Sequence, residues 1–428
     1  MSEQNKNDKA WEKLFDKYNI LDTVNNEGIY EVTASQIKEF REPRLMTKFD
    51  HRNNLPTLFK NNKLSILPIT RGSYVIGKMN AYHKFEENRS DIINVQFPDY
   101  LQSIDYENIT SEAIAINTAY VSGILRDFVG EEQLVPTVNG RMSSSTFSFD
   151  IQKMNKEGFY SINVENSQVE IDGGYEGIES LTLLEAKNSL ADDFLVRQLY
   201  YPYRLWKGKI RKEVRPVFLT YSNGIFTLNE YAFKEEGIYN SISLVKEQRY
   251  AIQNQEVELL DIIKVYKKVK IVKEPEGIPF PQANSFSRIV NLCELLLEAK
   301  YLSKDNITST YDFDARQTDY YTNAAKYLGL VEKFNTDEGI CFRLTTKGQE
   351  IFKLNIYKRN LEYVRLILEH KAFYLTFKDY IETLDMPSTD KIVEYMKVSK
   401  PYNVGTIDTF KRRTGTIKGW INWILDLI

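Results

Sequence analysis

Three residues in two neighbouring segments have the types and spacing for metal-assisted chemistry on a phosphodiester. Asp172 follows Val169, Glu170 and Ile171 and precedes Gly173, Gly174 and Gly177. Glu185 and Lys187 flank Ala186 at the end of a largely apolar run that begins at Leu181. Residues two apart on a strand point to one face, so Glu185 and Lys187 project together, and a hairpin partner brings Asp172 to them. Carboxylates hold a hard divalent cation through oxygen. Such a cation activates water and offsets charge on a phosphate, while a lysine orients or polarises the nucleophile. A Glu-x-Lys pair also arises by chance on solvated surfaces. Here it lies in a run apolar enough for a central strand, where charge seldom sits without a use or a partner. The glycines after Asp172 let the backbone bend and leave its carboxylate uncovered, with Tyr175 and Glu176 expected in the connecting loop.

The elements that must position these groups follow in order. The stretch 110–128 opens with a cap at Thr110 or Ser111 and repeats Ile114, Tyr120, Val121, Ile124, Leu125 and Phe128 at helical spacing. Strands are expected over 145–152 and 159–172, then the strand that bears Glu185 and Lys187. A helix is expected over 191–206, with Phe194, Leu195, Leu199 and Leu205 at its apolar positions. Residues 215–221 and 225–228 read as a hairpin about the Asn223-Gly224 turn.

This succession of helix, three strands, helix and strand, with Asp172, Glu185 and Lys187 in place, resembles the PD-(D/E)xK nuclease superfamily over about residues 110–235. It is most similar to the type II restriction endonucleases of bacteria. Residues 171–177, 184–188 and 197–203 look like the core signature of one such group, although Ile171 stands where the superfamily's proline would be. The resemblance implies an α/β (α+β) restriction-endonuclease-like core and Mg2+ as cofactor. It implies Asp172 and Glu185 as metal ligands, Lys187 as the catalytic lysine and the Ala186 carbonyl as completing the metal shell. Glu112, in the first turn of the upstream helix, reads either as a further carboxylate of the site or as a glutamate complementing the helix dipole. Gln198, with Tyr200 and Tyr201, resembles a glutamine-tyrosine motif of related nucleases; its amide could bond the lysine or a phosphate, or pack on the sheet. Glu170 alternates with Asp172 and is a weaker ligand candidate.

Composition bounds the rest. A chain of 428 residues is too long for one ordinary core, and two to four domains are expected. A net charge of −3 argues against indiscriminate polyanion binding but leaves room for sequence-specific DNA binding through local basic surface. Cys293 and Cys341 lie far apart in apolar runs, which fits a reduced cytoplasm (a bacterial one, as the resemblance implies), and three scattered histidines offer no zinc spacing. No signal peptide, membrane span or nucleotide-binding loop is seen.

The flanking segments carry the expected DNA contacts. Residues 1–105 form a mixed region whose strands and turns after residue 39 carry Arg44 and Lys48 among other basic residues. These suit phosphates or guanine edges. The core is expected over 106–272 and a proline-rich linker over 273–285. Residues 286–355 read as a winged helix, with Arg316, Gln317 and Tyr320 heading its recognition helix. Residues 356–428 read as a second helix-turn-helix or winged-helix-like unit, in which Lys411, Arg412 and Arg413 form a positive cluster and Trp420 and Trp423 belong to the core.

The function expected is a magnesium-dependent, site-specific endodeoxyribonuclease acting on double-stranded DNA, leaving 5′-phosphate and 3′-hydroxyl ends. A homodimer or a monomer nicking twice would cut both strands, and a cognate methyltransferase would act on the same site. The alternatives are a structure-specific or defence nuclease, or a DNA-binding regulator with a silent core.

Overall fold

The computed structural model describes residues 6–86, 90–155, 157–252, 255–337 and 339–428. Its architecture is mixed α/β, built on a seven-stranded mixed sheet followed by C-terminal helices. From edge to edge the strands are Ile92–Val95, Ile242–Ile252, Ile225–Phe233, Glu213–Ser222, Ser180–Lys187, Gln168–Glu176 and Val135–Ser143. Ser180–Lys187 runs parallel to Glu213–Ser222, and the helix Arg197–Lys207 makes the crossover that a parallel pair requires. Its neighbour on the other side, Gln168–Glu176, is antiparallel.

Seven of the eight residues of Ser180–Lys187 are buried, as expected for a strand covered on both faces. Leu181 and Leu183 join a core with Leu199 and Tyr201 of the crossover helix and with Trp11, Phe59 and Ile76 of the amino-terminal segment. Leu184 and Ala186 face the other way, onto Ala115, Ile116 and Ala119 of the helix Glu112–Val121. Ser111 caps that helix by accepting from the Ile114 N–H at 3.2 Å.

Several expected elements are built differently. The helix expected over 110–128 is two, Glu112–Val121 and Ile124–Val129, because Gly123 takes a left-handed φ of 84°. The strand expected over 159–172 is also two, Phe159–Val164 and Gln168–Glu176, with Asn166 at φ 53° in the turn between them. Phe147–Gln152 forms a two-stranded sheet with Phe159–Val164, outside the main sheet. The third strand beside the Asp172 and Glu185 strands is instead Val135–Ser143. Its Pro136 and Gly140 and its exposed, polar pattern suit a sheet edge and hide it from a search for alternation. Tyr175 and Glu176 lie within a strand rather than a loop. The crossover helix starts at Arg197, since Asp193–Leu195 is drawn into a strand with Tyr82–Lys84. Residues 43–46 and 57–61 are short helices.

The C-terminal region departs from two separate units. Phe286–Ala299, Lys304–Thr310 and Ala315–Tyr327 precede the hairpin Val331–Thr336 with Gly339–Leu344, to which Leu302–Ser303 adds a third strand. The helices Ile356–Leu368, Lys371–Thr383, Thr389–Ser399 and Ile407–Leu425 then close over it in one shared core. Residues 273–285 are a strap: Phe280 and Ala283 are buried, and the Trp420 Nε1 donates to the Ala283 carbonyl at 2.7 Å. Glu294 docks this body on the sheet, accepting from Ser222 Oγ at 2.8 Å and from the Asn223 N–H at 2.9 Å. Among the described residues no helix is long and apolar enough to cross a membrane.

A Cβ added at Gly174 would lie 2.6 Å from Val138 Cβ and 3.0 Å from the Val138 carbonyl oxygen. Gly174→Ala is therefore expected to lower unfolding free energy by roughly 1–3 kcal/mol, read as a lower urea midpoint. An unchanged midpoint would contradict so close an approach of the edge strand.

Candidate active site

The site lies where Ser180–Lys187 ends. Its pairing with the antiparallel neighbour sets Leu183 against Gly174 and Leu184 against Gly173, then the backbone ladder stops. One step further, the Ala186 N–H donates to Asp172 Oδ2 at 2.9 Å. A bulge makes this possible. On the edge side, Gly140 pairs with Ile171 and Val138 with Gly174, so Asp172 and Gly173 together oppose one residue, Asn139. The extra residue reverses the alternation: Ile171 packs in the core beneath the crossover helix, while Tyr175 packs in the core on the opposite face. Bulges commonly re-aim side chains in this way.

Lys187 holds the cluster together. Its Nζ donates to Glu185 Oε1 at 2.6 Å and to the Ala186 carbonyl at 3.1 Å, and lies 3.7 Å from Glu112 Oε1. From the crossover helix, Gln198 Nε2 also donates to Glu185 Oε1, at 2.6 Å. Gln198 Oε1 is buried with no hydrogen-bond partner among the described residues, which leaves an acceptor at the site. The side chains of Lys187 and Glu185 are 15% and 10% exposed, so both charges are largely out of water.

That burial governs the protonation of the cluster. It pushes the Glu185 carboxyl up to about 8, with Lys187 opposing the rise and Asp172 adding to it. Burial also raises half-buried Glu112 above the ordinary carboxylate range, again against Lys187. For Lys187 burial acts downward, but Glu185, Glu112, Asp50 and Asp172 outweigh it and hold the ammonium above the usual lysine value. Asp50 had no signal in the sequence. It lies in the amino-terminal segment, 3.8 Å from Lys48, and its charge bears on Lys187, Glu185 and Glu112. Lys48 itself bears on Glu112, so it stands at the edge of this cluster.

The other expected residues divide. Glu170 is not part of the cluster: it is exposed and pairs with Arg141 at 3.1 Å. The Tyr200 and Tyr201 hydroxyls donate to the Glu236 and Pro68 carbonyls, so the two rings serve the core. Arg44 is exposed on its own short helix. Arg316 is exposed in the first turn of Ala315–Tyr327, whereas the Gln317 Oε1 is committed to the helix cap, accepting from the Asp314 N–H at 3.0 Å. Half-buried Arg413 bonds Gln282 and feels the charges of both Arg412 and Tyr320. Lys411 and Arg412, in the second turn of Ile407–Leu425, are exposed.

Asp172, Glu185 and the Ala186 carbonyl are all hard oxygen donors, and burial with like charge already disfavours a second negative charge at Glu185. This donor set fits a small divalent cation. Among the described residues no group of three or more His, Cys, Asp or Glu side chains is placed to hold a metal. Glu112 joins this set through Lys187, whose Nζ lies 3.7 Å from its Oε1.

Three family models match the chain, each described as a domain of unknown function: DUF6996 over residues 8–76, DUF6997 over 77–251 and DUF7226 over 288–428. Asp172, Glu185 and Lys187 lie within the second, and Asp50 within the first. No curated protein and no solved structure that was compared matches the chain.

A carboxyl whose pKa is raised by folding stabilises the fold at acid pH, and that contribution fades as pH rises through the folded value. Glu185→Gln, melted in EDTA, is accordingly expected to gain on the parent protein between about pH 5 and about pH 9. A gain that shrinks over this range would show that Lys187, not burial, dominates at Glu185.

Proposed function

We propose that the chain is a divalent-metal-dependent endonuclease of the PD-(D/E)xK type, hydrolysing phosphodiester bonds of double-stranded DNA at a specific sequence in the manner of type II restriction enzymes. The observation that carries this is the contact set of Lys187: a buried ammonium bonded to Glu185 and to the Ala186 carbonyl, beside the Asp172 carboxylate that accepts from Ala186. The order of elements supports it: a helix, three neighbouring antiparallel strands, a crossover helix and a parallel strand.

Asp172, Glu185 and the Ala186 carbonyl would hold Mg2+. When bound, the cation supplies positive charge beside the scissile phosphate and makes nearby water more acidic. The residues of the chain do the rest. Lys187 has three N–H donors, and its Glu185 and Ala186 bonds leave one to orient the attacking water or a phosphate oxygen. As a held ammonium it stabilises charge developing on the phosphate rather than taking a proton. Gln198 fixes the Glu185 carboxylate, so the donor set keeps its geometry as substrate arrives. Water attacks phosphorus in line and releases a proton to solvent, the bond to the 3′-oxygen breaks, and the 3′-oxygen takes up a proton from solvent. The products are a 5′-phosphate and a 3′-hydroxyl.

For the duplex, Arg316, Tyr320, Lys411, Arg412 and Arg413 are the best candidates on the C-terminal body, and Lys48 the best beside the site. Basic groups at the start of a helix suit base edges and flanking phosphates.

Purified protein with magnesium is expected to cut plasmid and phage DNA into discrete fragments. EDTA and Asp172→Ala should abolish cutting. Lys187→Ala should keep duplex binding and lose cleavage by about a hundredfold or more. Full activity in either variant would overturn the assignment, and a smear of products would replace the restriction reading with a less selective nuclease. Arg412→Ala should weaken duplex binding and lower the salt slope by about one. An unaltered slope would remove Arg412 from the interface.

A further inference from the structure

We infer that Asn291 and Asp312, two buried residues of the C-terminal body, are positioning residues of the catalytic centre. The inference rests on the nuclease reading above. Lys187 is the last residue of its strand, and residues 188–192 carry the chain from it to Asp193–Leu195. That connection is clasped from outside. Asn291 spans it with both ends of its amide: Oδ1 accepts from the Leu190 N–H at 3.0 Å, and Nδ2 donates to the Asn188 carbonyl at 2.7 Å. Asp312 takes the backbone donor two residues on, the Asp192 N–H, at 2.6 Å. Its other oxygen accepts from Asn53 Nδ2 of the amino-terminal segment at 2.7 Å.

The clasp reaches the chemistry through Asn188. With its amide turned to satisfy both donors, the Asn188 side-chain oxygen accepts from the Ser111 and Glu112 N–H groups at 3.2 Å each. The residue that follows Lys187 thus also sets the start of the helix that presents Glu112. Asn291 and Asp312 are 5% and 1% exposed. A buried amide and a buried carboxylate cost free energy unless fully bonded, and bonded they define one geometry where apolar packing would accept several. Arg288 completes the bonding, 2.7 Å from Asp192 Oδ1 and 3.7 Å from Asp312 Oδ2. The body that would read DNA therefore holds the exit of the strand that would cut it. Lys187 and Glu112 keep their places only while that body is seated.

The test uses the full chain with Asn291→Ala and Asp312→Asn. It measures hydrogen–deuterium exchange of the peptide covering 186–193, single-turnover cleavage of a plasmid fragment that the parent protein cuts, and affinity for that fragment. Both variants should exchange faster across 188–193 and cleave about tenfold or more slowly, the loss typical of groups that hold catalytic ligands in place. Their duplex affinity should stay within about twofold, because neither side chain is among the basic groups proposed to meet DNA and both are buried. Arg359→Gln is the control. It breaks another buried contact between the same bodies, that of Arg359 Nη2 with the Glu107 carbonyl and Asn108 Oδ1, and should leave exchange at 186–193 unchanged. Unaltered exchange in Asn291→Ala and Asp312→Asn, equal acceleration in the control, or cleavage lost only in proportion to affinity would overturn the inference. If the parent protein cuts no DNA, the nuclease reading fails, while exchange alone still decides whether these two residues hold the segment.

Discussion

An ammonium drawn out of water at the end of a strand is the constraint from which the rest of this fold can be read. Taking such a charge from solvent costs several kcal/mol after relaxation, and only close, well-directed partners offset it. Lys187 finds them on three sides: Glu185 on its own strand, the Ala186 carbonyl behind it, and Glu112 across the sheet end. Those acidic partners need support in turn. Glu112 is the first residue of one helix and Gln198 the second residue of another, and the two helices cover opposite faces of the same strand. Both helices begin at the site, and their partial positive ends offset some of the repulsion between the carboxylates gathered there.

Asp172 meets the same demand by a backbone device. A regular strand would have continued its ladder and given the Ala186 N–H a carbonyl partner. The bulge opposite Asn139 ends the ladder one step early, and the carboxylate takes the donor instead. Gly173 and Gly174 keep the region thin enough for Ile116 and Val138 to close on either side. The loss of ladder pairing and the gain of a fixed carboxylate are one event.

Some of this could be read from residue order and some could not. Glu185 and Lys187 were legible because charge at a period of two in an otherwise apolar run conflicts with burial, and the conflict pointed to a partner. The crossover helix and the paired strand after it were legible from periodicity. The edge strand Val135–Ser143 was not, since a strand with one open side needs no apolar alternation and this one carries Pro136. Glycines favour turns, so the strand is expected to end at Asp172 with Tyr175 and Glu176 in a loop, whereas here the glycines serve close packing within a strand that runs on to Glu176. Asp50, Asn291 and Asp312 gave no local signal at all. Each matters through residues more than a hundred positions away, and local patterns do not encode such contacts.

The strap over 273–285 is tied by residues near the other end of the chain. The Trp420 indole grips the Ala283 carbonyl across 137 positions, Thr416 bonds Asn284, and Gly419 leaves room for the Asn284 backbone. During synthesis the strap leaves the ribosome long before anything exists to hold it. The C-terminal body can close only when its last helix has been made, and contacts so distant in sequence form late and slowly. A chain interrupted before Ile407–Leu425 is made would therefore carry the sheet with an open body above it. The helix Ile407–Leu425 acts as the latch that holds the strap in the body.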